Sequence, residues 1–186
     1  MPKLLPLAKL GESVLSKVAE EVSISEISKL KPTIEDMIFT LNSFGNRVGL
    51  AAPQVYLSKR IVIYKIPSST HSRYQLQEKL DEIPLTILIN PQWQPVTNKT
   101  IEGWEACISL PNLMGIVPRF QEIECFYQDI EGNPQTIRAK DFHARVIQHE
   151  CDHLDGIVFT KKMHNLNSLI FEDVYLQSEQ SKNMLA

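Results

Sequence analysis

His149-Glu150-Cys151-Asp152-His153 places two imidazoles four positions apart within a run of apolar residues. On a helix of about 100° per residue the two rings lie roughly 40° apart, so both reach one ion, and Glu150 falls about 60° from His153. A carboxylate there faces whatever the ion holds without having to ligate it, which is where a general base is useful. Phe142, Val146, Ile147 and Leu154 surround the motif, and the spacing predicts a helix over Phe142 to Leu154 that stops at Gly156. Buried His and Glu are costly without partners. Cys151 lies about 160° from His153, beside Ile147 and Leu154, and reads as core. The plainer alternative is a surface helix that carries two histidines and some acids by chance.

A catalytic metal site uses three protein ligands and keeps one position open, so the motif asks for a further donor. Cys107, Cys125, His71, His143, His164 and several carboxylates are available. His71 lies in a polar stretch, His164 beyond the helix, and His143 off the face of His149. Cys125 alternates within an apolar strand and reads as packed, whereas Cys107 stands between polar neighbours in Glu105-Ala106-Cys107-Ile108-Ser109. Spacing alone leaves the choice open. Three cysteines make no tidy disulfide framework.

Around the motif, apolar spacing predicts a helix over Gly11 to Val22 and another from about Pro32 to Asn42, with Pro32, Glu35 and Asp36 in its first turn. Strands are expected at Arg60 to Ile66, Ile87 to Asn90, Ile101 to Ile108, Gly115 to Pro118 and Glu122 to Tyr127, followed by a turn at Glu131-Gly132-Asn133. Residues 67–84 read as an exposed insertion, Asn167 to Leu176 as a terminal helix, and about 177–186 as a flexible tail. The fold class expected is α+β, with mostly antiparallel strands packed around the central His-Glu-x-x-His helix, in a single domain spanning 1–186.

With 19 basic and 22 acidic residues and a net charge of -3, the chain lacks the clustered cations that wrapping nucleic acid needs, and no direct DNA binding is expected. No apolar run approaches a membrane span and the N-terminus has no signal-peptide core, so a cytoplasmic location is expected.

Three segments together resemble the peptide deformylases, which remove the formyl group from the N-terminus of newly made proteins. The family carries Gly-x-Gly-(apolar)-Ala-Ala-Pro-Gln, Glu-Gly-Cys-(apolar)-Ser and Gln-His-Glu-x-Asp-His-Leu-x-Gly in that order. Here they stand as Arg47-Val48-Gly49-Leu50-Ala51-Ala52-Pro53-Gln54, Glu105 to Ser109, and Gln148 to Gly156. The resemblance implies that Cys107, His149 and His153 bind a divalent metal ion and that Glu150 is the general acid and base. It further implies that Gln54 and the backbone N–H of Ile108 stabilise an oxyanion, and that Val48, Gly49, Arg119 and Arg47 lie along the substrate. By the same resemblance the metal is Fe2+, with Zn2+, Ni2+ or Co2+ able to occupy the same donors. The partners it implies are N-formyl-methionyl peptides of nascent chains, with the ribosome nearby. Asp152 or Glu105 would orient a metal-bound His or Arg145.

Two positions depart from the pattern: Arg47 and Ala106 stand where the family has glycine. Arg47 either points outward at the rim or changes what the cleft accepts, and Gly45 is placed to absorb the turn. Two other readings compete: a divergent metal-binding paralogue with weak, altered or no catalysis, and a zinc metallopeptidase. The metallopeptidase lacks its further downstream ligand motif and leaves the Gln54 and Cys107 segments unexplained.

Overall fold

The computed structural model describes residues 1–45, 47–67 and 82–184, with side chains as far as Ser178. Among these residues three α-helices occur, α1 (Ile24–Ser43), α2 (Asp141–Leu154) and α3 (Glu172–Met184). The strands in chain order are β1 (Gly49–Ala51), β2 (Ile61–Ile66), β3 (Ile83–Pro95), β4 (Thr100–Ala106), β5 (Leu113–Phe120), β6 (Glu122–Gln128), β7 (Pro134–Lys140) and β8 (Ile170–Phe171). They form one sheet in the order β1-β2-β3-β6-β7 and a second in the order β4-β5-β8, with every neighbouring pair antiparallel. This is the α+β class expected. None of the helices among the described residues is long and apolar enough to cross a membrane.

The apolar run of β2 follows from burial on both faces. Val62, Tyr64 and Ile66 pack in one cluster with Ala144, Ile147, Cys151 and Leu154 of α2. The alternate residues Ile61 and Ile63 pack with Ile27, Ile34, Met37 and Leu41 of α1. A third cluster, including Leu15, Cys107, Val117 and Phe159, lies against the smaller sheet. Helix α2 touches β1 and β2 of one sheet and β5 of the other, and every residue from Ala144 to Leu154 is buried. Its end is fitted by Gly156 at φ 69°, where a Cβ would come within 2.7 Å of the Ser16 backbone. The glycine therefore supplies both the left-handed cap and the close approach.

The structure corrects several expected elements. Over Gly11 to Val22 it has only a 3-10 turn at Ser13–Ser16, because the backbone here bonds to distant partners. Ala19 N–H donates to the Leu154 carbonyl at 2.7 Å, and Arg60 N–H donates to the Glu20 carbonyl at 2.8 Å. Leu15, Ala19 and Val22 are buried while Val18 is exposed, so the helical stripe is not used as one. Helix α1 begins at Ile24 and runs through Pro32, which costs it one backbone donor. Its true start is Ser23, whose N–H donates to the Glu26 carboxylate at 2.8 Å. Strand β3 continues past Asn90 through a register shift between Ile89 and Gln92. Asn90 sits at φ 53° and its side chain exchanges two 2.8 Å hydrogen bonds with the Val22 backbone, which anchors the bulge. Of the expected insertion 67–84, residues 68–81, including His71, lie outside the described residues, and Ile83 and Pro84 open β3. The terminal helix begins at Glu172, after β8 has paired with β5, and continues to Met184.

Candidate active site

Helix α2 supplies His149, Glu150 and His153, the chain leaving β4 supplies Cys107, and a 3-10 turn after β1 (Ala52–Val55) supplies Gln54. One donor atom from each of Cys107, His149 and His153 lies within 4.8 Å of the others, and all three residues are buried. Cys107 Sγ is 3.2 Å from His153 Nε2. His149 Nδ1 is 2.8 Å from Glu105 Oε2. An ionised carboxylate only accepts, so Nδ1 carries a proton toward Glu105 and Nε2 is the ring nitrogen available to a metal.

Glu105 is held in its charged form. Burial alone would raise its pKa, but the charge and hydrogen bonds of Arg119, together with His149, keep it well below the usual carboxylate range. Arg119 donates to it from Nε at 2.8 Å and Nη2 at 2.9 Å, and Arg145 donates from Nη1 at 2.9 Å. The remaining Arg119 donor reaches Asp152 Oδ2 at 2.6 Å. Arg145 is fixed further by the Val117 and Ile101 carbonyls, at 2.7 and 2.9 Å. Gly103 makes room for it, since a Cβ there would come within 2.8 Å of the guanidinium. Burial pushes the Cys107 thiol up, but His153 and His149 outweigh it and favour thiolate, the form that binds a metal.

Burial pushes the Glu150 carboxyl up to about 7, against the opposing pull of His149 and His153. Glu150 Oε2 and His153 Nδ1 are buried with no hydrogen-bond partner among the described residues. A thiolate and two imidazoles at this separation, beside a carboxylate with an unused oxygen, suit a divalent cation bound by three ligands with a proton acceptor next to it.

Gln54 is oriented by its neighbours. Ala51 N–H donates to Oε1 at 2.8 Å, which turns the amide NH2 toward Ser109 Oγ at 3.2 Å and Cys107 Sγ at 3.3 Å. The amide donors therefore point into the site, the direction an oxyanion donor requires. Gly49 is needed at the same place for space, because a Cβ would come within 2.8 Å of Glu150 Cγ.

A cleft open to solvent lies over this group. Of the residues singled out from sequence, Arg47, Val48, Gly49, Gln54, Glu105, Cys107, Ile108, Arg145, His149 and Glu150 line it, and His153 lies beneath, 1% exposed. Arg119, expected along the substrate, is not one of its walls. It is 4% exposed, with Nε, Nη1 and Nη2 all given to Glu105 and Asp152, since a buried guanidinium without such partners would be strongly destabilising. Ala106 is not among the residues at positive φ, so that position does not need glycine's backbone freedom in this chain, and Gly45 takes a left-handed turn at φ 65°. The smaller departure, Ala106, also lines the cleft, at the last position of β4 opposite Met114.

Sequence reasoning missed Trp104, Met114 and Phe142 as walls of the cleft. Arg145, named from sequence as a group that Asp152 or Glu105 would orient, donates to Glu105 at 2.9 Å, and it shares the face of His149 because it precedes it by one i, i+4 step. His143 is instead bonded to Tyr64, its Nε2 lying 2.9 Å from the hydroxyl.

Comparison with known proteins follows the same lines. The family model described as polypeptide deformylase matches residues 4–168. Peptide deformylase 2 of Ralstonia nicotianae is 36% identical over 169 residues, covering 91% of this chain and 92% of the relative. Peptide deformylase 2 of Nostoc is 38% identical over 173 residues, covering 92% and 93%. Among solved structures, the Met-Ala-Ser-bound class I type b peptide deformylase of Acinetobacter baumannii matches with a TM-score of 0.79 at 33% identity, over 88% of this chain and 100% of that one. The peptide deformylase of Ehrlichia chaffeensis matches with a TM-score of 0.76 at 27% identity, over 97% of each chain.

Proposed function

The chain belongs to the polypeptide deformylase family, metal-dependent hydrolases that remove the N-formyl group from nascent polypeptides, and from that premise we propose which of its residues perform the reaction. Cys107, His149 and His153 hold the metal, Glu150 moves the protons, and Gln54 with the Ile108 backbone N–H receives the oxyanion. The observation that carries this reading is the gathering of three buried donor atoms within 4.8 Å, with the Glu150 carboxyl beside them.

When bound, a divalent cation there polarises the formyl carbonyl and makes a water molecule acidic enough to attack near neutral pH. Glu150 accepts the proton of that water, for which a carboxyl raised toward neutrality is well matched. As the formyl carbon becomes tetrahedral its oxygen gains charge, and Gln54 Nε2, held by Ala51 N–H, is a preorganised donor to it. Glu150 then returns the proton to the leaving amine, and formate and a free N-terminus result. Glu105 keeps His149 in the tautomer that ligation needs.

The domain 1–186 acts on N-formyl-methionyl peptides as they leave the ribosome, in the cytoplasm, with Fe2+ as the working ion and Zn2+, Ni2+ or Co2+ as substitutes acceptable to the same donors. A purely metal-binding role would leave the buried Glu150 and the oriented Gln54 amide without a use.

The test is formate release from formyl-Met-Ala-Ser by protein purified anaerobically with iron. Glu150→Ala is expected to keep its metal and to lose on the order of 10²- to 10⁴-fold in rate. Release that survives this substitution would refute the assigned role of Glu150. Metal-loaded parent protein that released no formate would refute the catalytic reading.

A further inference from the structure

Arg47 and Trp104 are walls of the cleft that the family motifs do not account for, and both are held by the first turn of α3. Arg47 Nη2 lies 3.5 Å from Glu172 Oε2, and each of the two side chains is 19% exposed. The Trp104 ring centroid is 4.8 Å from that of Tyr175, with the planes at 49°. Glu172 and Tyr175 are three positions apart and so share a helix face. That face is turned inward, since Tyr175 is 5% exposed and its neighbour Val174 is 51% exposed. Just before it, Ile170 of β8 pairs with Met114, a third wall. The Glu172 N–H donates to the Asn112 carbonyl at 2.8 Å, tying this turn to the loop before β5. Neither Glu172 nor Tyr175 lines the cleft itself, so any effect they have on a substrate passes through the residues they hold.

We propose that residues 170–175 buttress the substrate cleft, with Glu172 and Tyr175 as positioning residues that set where Arg47 and Trp104 stand and thereby how the side chain beside the formyl group is accepted. The inference rests on the deformylase reading for its substrate. It also explains how an arginine occupies a rim position where the family has glycine: the ion pair draws Arg47 toward α3.

The experiment uses iron-loaded enzyme with formyl-Met-Ala-Ser and formyl-Leu-Ala-Ser, comparing the parent with Glu172→Gln, Tyr175→Ala, Tyr175→Phe, Arg47→Gly and the Arg47→Gly, Glu172→Gln double variant. Tyr175→Ala should raise KM roughly three- to tenfold, the worth of an aromatic pair, while kcat stays within about twofold. Tyr175→Phe should restore the parent KM. Glu172→Gln should shift the ratio of the two KM values in the parent and add nothing once Arg47 is replaced by Gly. A Trp93→Phe background leaves Trp104 as the one tryptophan, and its emission should shift in Tyr175→Ala and not in Tyr175→Phe.

Unchanged KM values and ratio in Glu172→Gln and Tyr175→Ala, or an undiminished Glu172→Gln effect in the Arg47→Gly background, would overturn the proposal. Absence of formate release from the parent would count against the deformylase reading instead. The Trp104 emission would then decide by itself, a shift supporting the buttress and no shift overturning it.

Discussion

Replacing Glu105 by Gln tests the charge arrangement under the site. Its carboxylate accepts from Arg119 Nε at 2.8 Å, Arg119 Nη2 at 2.9 Å, Arg145 Nη1 at 2.9 Å and His149 Nδ1 at 2.8 Å. The amide keeps one acceptor oxygen, turns an NH2 toward the donors that faced the other, and removes the negative charge. Asp152, already bonded to Arg119, then remains against two buried guanidiniums. Removing one partner of a buried charge pair costs about 3–5 kcal/mol, a large share of a typical total of about 5–15 kcal/mol. For a chain of this size that corresponds to a fall in Tm of roughly 6–20 °C. The substitution also removes the acceptor that fixes the His149 tautomer, so metal affinity should fall about 10- to 100-fold. Thermal melts of metal-free protein isolate the charge effect, and chelator competition with Co2+ measures the affinity. A Tm within about 2 °C of the parent and an affinity within about threefold would refute the reasoning, because the network would then carry neither the burial of Arg119 nor the orientation of His149.

Three further outcomes follow from the geometry. Gln54→Ala should lower kcat about 10²- to 10³-fold with metal content unchanged, and a loss confined to KM, read from steady-state kinetics, would remove Gln54 from oxyanion stabilisation. Gly49→Ala should cost on the order of a hundredfold in kcat/KM, since the added Cβ displaces Glu150; a crystal structure with Glu150 unmoved and full activity would contradict this. The Glu26 carboxyl, lowered to about 2 by the Ser23 N–H and then by Lys59, stabilises the folded state fully above its ordinary value of 4.5 and progressively less as pH falls through about 2. Glu26→Gln should therefore be slightly less stable than the parent at neutral pH, with urea midpoints that converge in acid and not in base.

The parts of this protein that short-range geometry controls were legible in its residues. His149 and His153 share a face on any helix, and Glu150 stands beside them, because 3.6 residues per turn requires it. The β-branched run at β2 and the turn at Gly132 were readable for the same reason. Periodicity failed where a segment's backbone had a better distant partner. Gly11 to Val22 has helical spacing, yet Ala19 and Glu20 are bonded to Leu154, Ser58 and Arg60. Pro32 looked like a helix start, yet the capping of Ser23 by Glu26 and the burial of Ile27 outweigh the donor it lacks.

The pair of histidines, the acid beside them and the α+β alternation that buries them follow from the residues alone, since each depends on the repeat of one local element. Which thiol joins the histidines is set by how the strands pack against α2. Cys107 and Cys125 are both buried, but the end of β4 brings Cys107 to α2, whereas Cys125 is packed within the five-stranded sheet. The fold likewise puts Arg119 under the cleft and not in its wall, because two carboxylates from different elements meet there and a buried guanidinium goes to both. Spacing along a chain specifies faces; which faces meet depends on how all of them are covered together.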